Sequence, residues 1–326
     1  RVVLEDGTAL EYDRLVIASG SRLYAPLEGY TLPSVHNFKS LSAASALVDR
    51  VRRGEIHTTL IVGAGFIGVE IALLLCELGV AVTVIEMLDR VMPRILDAET
   101  AGIALAAMSA RGVEVRLNTR AIAFTGEREA TGVLLGSGET LKADAYVAAT
   151  GVKPNVEFLE GSGIDFDWGV RTDDHLLTNV SDVYAAGDVA ETFDRMTGER
   201  YVHAIFPNAV AQGQVVAYNL LGFDTIYEGA ENMNSLKHLG LPVMAVGAMT
   251  GREELRWRRG DVLRKLFLND GRIVGFRLSG DIRAAGVYRA LMLRRVDVSP
   301  FRERLVSPRF GVGELVLPAA GIVGRG

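Results

Sequence analysis

The stretch Thr59–Ile85, TLIVGAGFIGVEIALLLCELGVAVTVI, decides the fold. An apolar run to Val62 leads into Gly63-Ala64-Gly65-Phe66-Ile67-Gly68. A helix-forming apolar segment follows, then a second β-rich run that stops at Glu86. Strand, glycine turn, helix and strand in that order make a βαβ unit. Each glycine has its own task. Gly63 permits the tight turn, Gly65 lets backbone approach a pyrophosphate, and Gly68 lets the helix pack close to the sheet. The helix N-terminus offers N–H groups and a positive dipole end to phosphates. Glu86, about twenty residues on, is placed to accept from a ribose 2′-OH. The motif reads as a dinucleotide-binding turn. The stretch is also the most apolar of the chain, but Glu70 and Glu77 interrupt it, which argues against a membrane span.

Downstream, Val133 to Pro154 (VLLGSGETLKADAYVAATGVKP) repeats Val2 to Leu23 (VVLEDGTALEYDRLVIASGSRL). The two align without a gap at an offset of 131, with identities at Val2, Leu4, Gly7, Leu10, Asp13, Val16, Ala18 and Gly20. Each copy reads as a hairpin around a glycine, a buried strand and a small-residue turn. The glycine motif precedes the second copy, whereas the first copy starts at residue 2. The expectation is two dinucleotide-binding folds, the first lacking about seventy to eighty residues of its front. Such a chain is a fragment or one half of a split protein.

The net charge of −5 over 326 residues argues against general nucleic-acid binding. One cysteine, Cys76, excludes a disulfide framework and a Cys-rich metal site, and suits a reducing, cytoplasmic setting. No metal is expected. His203 and His238 stand isolated in the sequence and read as structural or exposed. From Arg252 to Arg309, fifteen Lys/Arg face seven Asp/Glu, a net of +8. That run is a solvated face or a docking surface for an acidic partner. Asp182 to Ala186 reads as a strand ending at Gly187-Asp188, where small residues allow close approach and Asp188 offers acceptors to hydroxyls.

The segments IASG, GAGFIGVE, ATGVKPN and TNVSDVYAAGDV occur in one order. Together they resemble the FAD-dependent pyridine nucleotide-disulfide oxidoreductase family. The runs NMNSLKHLGLPVMAVG and RRVDVSPF are more similar to its NADH:rubredoxin reductase and nitrite reductase flavoprotein branch. The resemblance implies an α/β fold with two Rossmann-like domains, the first incomplete, and a small C-terminal α+β domain. The expected boundaries are 1–37 and 151–226 for the FAD-binding domain, 38–150 for the NAD(P)-binding domain and 227–326 for the last. It further implies an enzyme that moves hydride from NADH to FAD and electrons onward to a second acceptor, such as rubredoxin, ferredoxin or a partner subunit. Glu86 favours NADH over NADPH, and Arg90 softens that preference.

By the same resemblance, Ser19 and Gly20 lie near FAD, Asp188 holds its ribityl chain beside Gly187, and Gly151 lies near NAD(P)H. The run Phe206-Pro207-Asn208-Ala209 aims a helix N-terminus at the flavin. Phe66 covers the flavin until nicotinamide displaces it, and Glu70 lies beside the nicotinamide. Gly63, Gly65, Ile67 and Gly68 complete the cofactor set. Two alternatives stay open: a thiol-linked member (a CoA-disulfide reductase or NADH oxidase) with its redox cysteine outside this chain, and a non-catalytic NAD-binding subunit. An oligomer is compatible with either.

Overall fold

The computed structural model describes residues 1–236 and 240–313, and His238 lies outside them. Contacts divide the chain into two compact units, Arg1–Arg22 with Val152–Asn232, and Leu23–Gly151 with Met233–Gly326.

In the larger unit, five parallel strands lie in the order Val35–His36, Ala145–Ala148, Thr58–Val62, Ala81–Ile85, Glu114–Arg116. Ile61, Val84 and Val147 are fully buried, as central parallel strands covered on both faces require. The helix Phe66–Glu77 sinks Val69, Ile71, Ala72, Leu73 and Leu75 into the same core. Strand order reverses at Thr58–Val62: the next two strands go to one side, and Ala145–Ala148 pairs on the other. Ligand crevices of such sheets open at the carboxyl ends of the strands flanking the reversal. Those ends are Val62 and Ala148, which run into Gly63 and Gly151. An antiparallel meander, Ala121–Thr125, Gly132–Leu135 and Thr140–Leu141, accompanies the sheet.

The C-terminal part of this unit is a five-stranded antiparallel sheet, in the order Met233–Leu236, Val243–Gly247, Arg272–Ser279, Val262–Asn269, Glu253–Arg259. Asn269 faces Arg272, and Asp270 and Gly271 take φ of 49° and 72°, so the hairpin turns on two left-handed residues. The helix Ala285–Leu293 buries Tyr288 beside Phe276. Arg277 is buried too; its guanidinium donates to the Val246 and Phe276 carbonyls, and burial pushes its pKa down to about 10.

Part of the basic run of this region is paired inside the chain; Asp97 and Glu99, its acid partners from outside the run, take its net of +8 to +6. Lys265 Nζ lies 3.0 Å from Asp97 and 2.9 Å from Glu99. Arg256 and Arg258 bond the same Glu99 carboxylate. The Arg256 bond, joined by Lys265 and Arg258 and opposed by burial, holds that carboxyl well below the usual carboxylate range. Arg252 pairs with Asp270, and Arg264 and Arg283 with Asp281. A net charge counted along the sequence overstates the positive field that such pairs leave.

The smaller unit pairs Val2–Val3 with Ala9–Leu10, and Leu15–Ile17 in parallel with Val183–Ala185. Ile17, Val156, Val170, Val183, Ala185 and Val189 form its core. Its helix, Phe206–Leu220, starts with Pro207 at the position where a missing N–H costs nothing, and buries only Asn208, Gln212 and Val216.

Candidate dinucleotide-binding sites

Gly63 has φ of 108° and donates its N–H to Ile85 O at 2.8 Å. A Cβ there would stand 2.5 Å from the Ala149 carbonyl oxygen. At Gly68 it would stand 2.0 Å from the Gly63 oxygen. Both positions therefore exclude any side chain. Gly65 differs: a Cβ would meet nothing within 4 Å. Open space at the middle glycine, at the head of a helix without a side-chain cap, leaves room for a phosphate close to backbone.

Glu86 is 8% exposed. Its Oε2 accepts from Ala64 N–H at 2.9 Å and its Oε1 from Leu88 N–H at 2.9 Å. The acid expected to meet a ribose is thus held in place by the turn itself. Phe66, half-buried, packs against the core at its edge, while Ile67 is 48% exposed. Glu70, on the same helix, is half-buried. Gly151 has φ of 130° and accepts from Tyr24 N–H at 3.0 Å. One strand–turn–helix thus gathers Gly63, Gly65, Phe66, Ile67, Gly68 and Glu70. Glu86 ends the next strand, and the Ala149 N–H bonds Val62 O just ahead of Gly151.

In the smaller unit, Gly20, Gly187, Asp188 and Ala209 line one groove of about 480 Å³, with Val16 and Ala18 on the strand side and Gly213 and Ala217 on the helix. Ser19 is outside that lining; it donates its hydroxyl to Asn155 O at 2.9 Å. Asn208 is outside it too. Its buried amide bonds both backbone groups of Glu231, at 3.0 and 3.2 Å.

Two residues that the sequence did not single out hold the groove. The Ser21 hydroxyl donates to Asp188 Oδ2 at 2.7 Å, and Gln212 Oε1 accepts from Gly187 N–H at 2.6 Å. Asn208 and Gln212 stand four apart on one helix face, and two amides on a buried face must find partners. That was the available signal. His203 is not isolated: its Nε2 lies 3.0 Å from Asp194 Oδ2, with both side chains largely buried. Burial opposes the Asp194 charge, but the His203 bond and the Thr197 and Met196 N–H groups outweigh it and hold the carboxyl low.

Cys76 is half-buried on the helix Phe66–Glu77, and burial pushes its thiol pKa up. It lacks the electropositive surroundings of a reactive thiolate. The residues at the glycine turn fit NAD(P)H: an open middle glycine, free helix donors and a fixed acid. The groove of the smaller unit fits part of FAD. Among the described residues of that unit, no glycine turn leads from a strand into a helix.

The chain matches the model of the pyridine nucleotide-disulphide oxidoreductase family over residues 1–213. The NADH-dependent phenylglyoxylate dehydrogenase subunit epsilon of Aromatoleum evansii is 29% identical over 323 residues, which cover 96% of this chain and 76% of that one. Rhodocoxin reductase of Rhodococcus erythropolis is 35% identical over 230 residues, 70% of this chain but only 53% of the relative. A solved ferredoxin reductase from Rhodopseudomonas palustris superposes with a TM-score of 0.85 at 27% identity, covering 96% of this chain and 78% of that one. The chain belongs to the pyridine nucleotide-disulphide oxidoreductase family, whose members are FAD-dependent NAD(P)H oxidoreductases.

Proposed function

We propose that this chain is the NADH-accepting part of a flavin-linked electron-transfer oxidoreductase that delivers electrons to a carrier protein or partner subunit. The observation that carries the reading is Glu86, fixed on the Ala64 and Leu88 N–H groups beside an open Gly65. FAD, when bound, supplies the hydride acceptor and lets an electron pair leave one electron at a time.

The chain's own residues bind, orient and exclude. The N–H groups at the head of Phe66–Glu77 bind the pyrophosphate, and Glu86 takes the ribose hydroxyl. Phe66 screens the nicotinamide position from water, and Glu70 orients the nicotinamide. Asp188, steadied by Ser21, holds the ribityl hydroxyls, with Ser19 and Gly20 near the ring system. Gly187 and Ala209 leave room for the flavin, and Asn208 fixes the start of Phe206–Leu220 so that its dipole faces the flavin. Gly151 lies against the nicotinamide side.

The rhodocoxin reductase and the ferredoxin reductase support a carrier protein as acceptor, and the dehydrogenase epsilon subunit supports a partner subunit. No described helix is long and apolar enough to cross a membrane. Stopped-flow reduction of the flavin by NADH in the full-length protein tests the reading. Loss of that step on changing Glu70 to Gln, with NADH affinity kept, supports the Glu70 role; an unaltered rate removes it. A second reading, an NADH-binding subunit without its own flavin, is favoured by the partial FAD groove alone. Stoichiometric flavin in the purified full-length protein rejects it.

A further inference from the structure

The loop that follows the ribose acid is closed on a single residue, Ala64. Ala64 N–H donates to Glu86 Oε2 at 2.9 Å, and Ala64 O accepts from Met92 N–H at 2.8 Å. Glu86–Met92 therefore begins and ends on the glycine turn. Met92 is buried, with φ of 48°, so the far end is fixed as firmly as the near one. Met87 and Leu88 stand exposed between. In the sequence EMLDRVM the one cation is Arg90.

A 2′-phosphate on the adenosine ribose would arrive at this loop. Two things face it. Glu86 repels it and cannot swing aside, because both of its oxygens are tied to backbone. Arg90, the natural receptor, is already engaged: its Nε lies 2.8 Å from Asp89 Oδ1 and its Nη2 3.0 Å from Asp89 Oδ2. That is a two-point pair, the geometry a phosphate would otherwise use. Arg116, whose carbonyl accepts from Glu86 N–H, is occupied likewise by Glu114 and Glu139.

We infer that Asp89 is a cofactor-discriminating residue: by covering Arg90 on the clasped loop, it denies NADPH its phosphate receptor and adds to the exclusion set by Glu86. The inference rests on the turn being an NADH site. Preference then resides in two acids with different tasks. Glu86 sets the repulsion, and Asp89 removes the attraction that would offset it.

The test is the ratio of NADH to NADPH dissociation constants, by equilibrium titration of this chain at low and high salt. Asp89→Asn keeps the shape and removes the charge on an exposed side chain. It should move the ratio toward NADPH by about fivefold at low salt, less at high salt. Adding Arg90→Ala should abolish the gain. Arg90→Ala alone should move the ratio little, because Arg90 is already covered. A ratio unchanged by Asp89→Asn, in a chain that binds NADH, overturns the inference and leaves the NADH site standing. A large loss of NADPH affinity from Arg90→Ala alone overturns it too, since Arg90 would then already serve the phosphate. No NADH affinity in the unaltered chain overturns site and inference together.

Discussion

Val133 pairs with Leu141 and Leu134 with Thr140 in the second copy of the repeat; 131 residues earlier, Val2 pairs with Leu10 and Val3 with Ala9. Gly7 and Gly138 turn with φ of 84° and 89°. The register is the same to the residue. The surroundings are not. Tyr146–Ala148 has strands on both edges, and Val147 is fully buried. Leu15–Ile17 pairs with Val183–Ala185, and Val16, the counterpart of Val147, is 37% exposed. Asp144 accepts from His57 N–H, Thr58 N–H and the Thr58 hydroxyl, pinning the start of the neighbouring strand. Asp13 holds the same place in the first copy and is exposed. Local sequence therefore sets hairpin and register, while the neighbouring strand decides what the copy buries and whether its end meets a glycine turn.

The largest effect should come from closing that glycine turn. Gly63→Ala brings a Cβ to 2.5 Å from the Ala149 oxygen, at the end of the second copy, in a backbone conformation that alanine resists. We expect NADH affinity to fall by more than about a hundredfold, with about 3 kcal/mol of stability lost. Titration and chemical unfolding measure both. Undiminished NADH affinity would break the assignment of the turn, and with it the contrast between the copies.

Next comes the buried strand. Val147→Ala should cost about 2 kcal/mol, and Val16→Ala no more than about 0.5 kcal/mol. Hydrogen exchange in the two strands reports each copy separately. Equal costs would mean that Val16 is covered as well as Val147 in solution.

The Asp pair sharpens the comparison through pH. Bonds from the His57 and Thr58 N–H groups hold the Asp144 carboxyl below its ordinary value of 3.8. A depressed carboxyl adds stability that is complete above its unfolded pKa and is lost as pH falls through the folded one. Asp144→Ala should therefore cost about 1 kcal/mol near neutral pH, an allowance for its exposure included, and progressively less below about pH 4. Asp13→Ala, at an exposed side chain, should cost no more than about 0.5 kcal/mol near neutral pH. A pH-independent penalty at Asp144 would assign its role to shape rather than charge.

These contrasts also mark how far the sequence could be read. The glycine turn and the two hairpins of the repeat were legible because each is fixed by residues close together in the chain. The groove clamps were not, since Ser21 meets Asp188 across 167 residues. The pairing within the basic region was not legible for the same reason. Arg256 and Glu99 are 157 residues apart, and no local count pairs them. The bonds of the Asn208 amide to the Glu231 backbone were not legible either, since the two residues stand 23 apart.

The smallest effect is expected at the one cysteine. Cys76 lies on the helix that follows the glycine turn, so it belongs to the larger unit's core edge. Burial raises its thiol pKa, with the Val82 backbone offsetting only part of the shift, so the nucleophilic thiolate is scarce at neutral pH. Serine is nearly isosteric, and a half-buried hydroxyl on a helix can bond the carbonyl one turn back. Cys76→Ser should hold stability within about 1 kcal/mol and NADH affinity within about twofold. In the full-length protein, flavin reduction by NADH should be equally unaffected, because the proposed hydride transfer would need no protein nucleophile. A loss of turnover in Cys76→Ser with NADH binding intact would place thiol chemistry on this helix. The turn beside Gly65 would then serve a thiol-linked enzyme rather than a direct electron-transfer one.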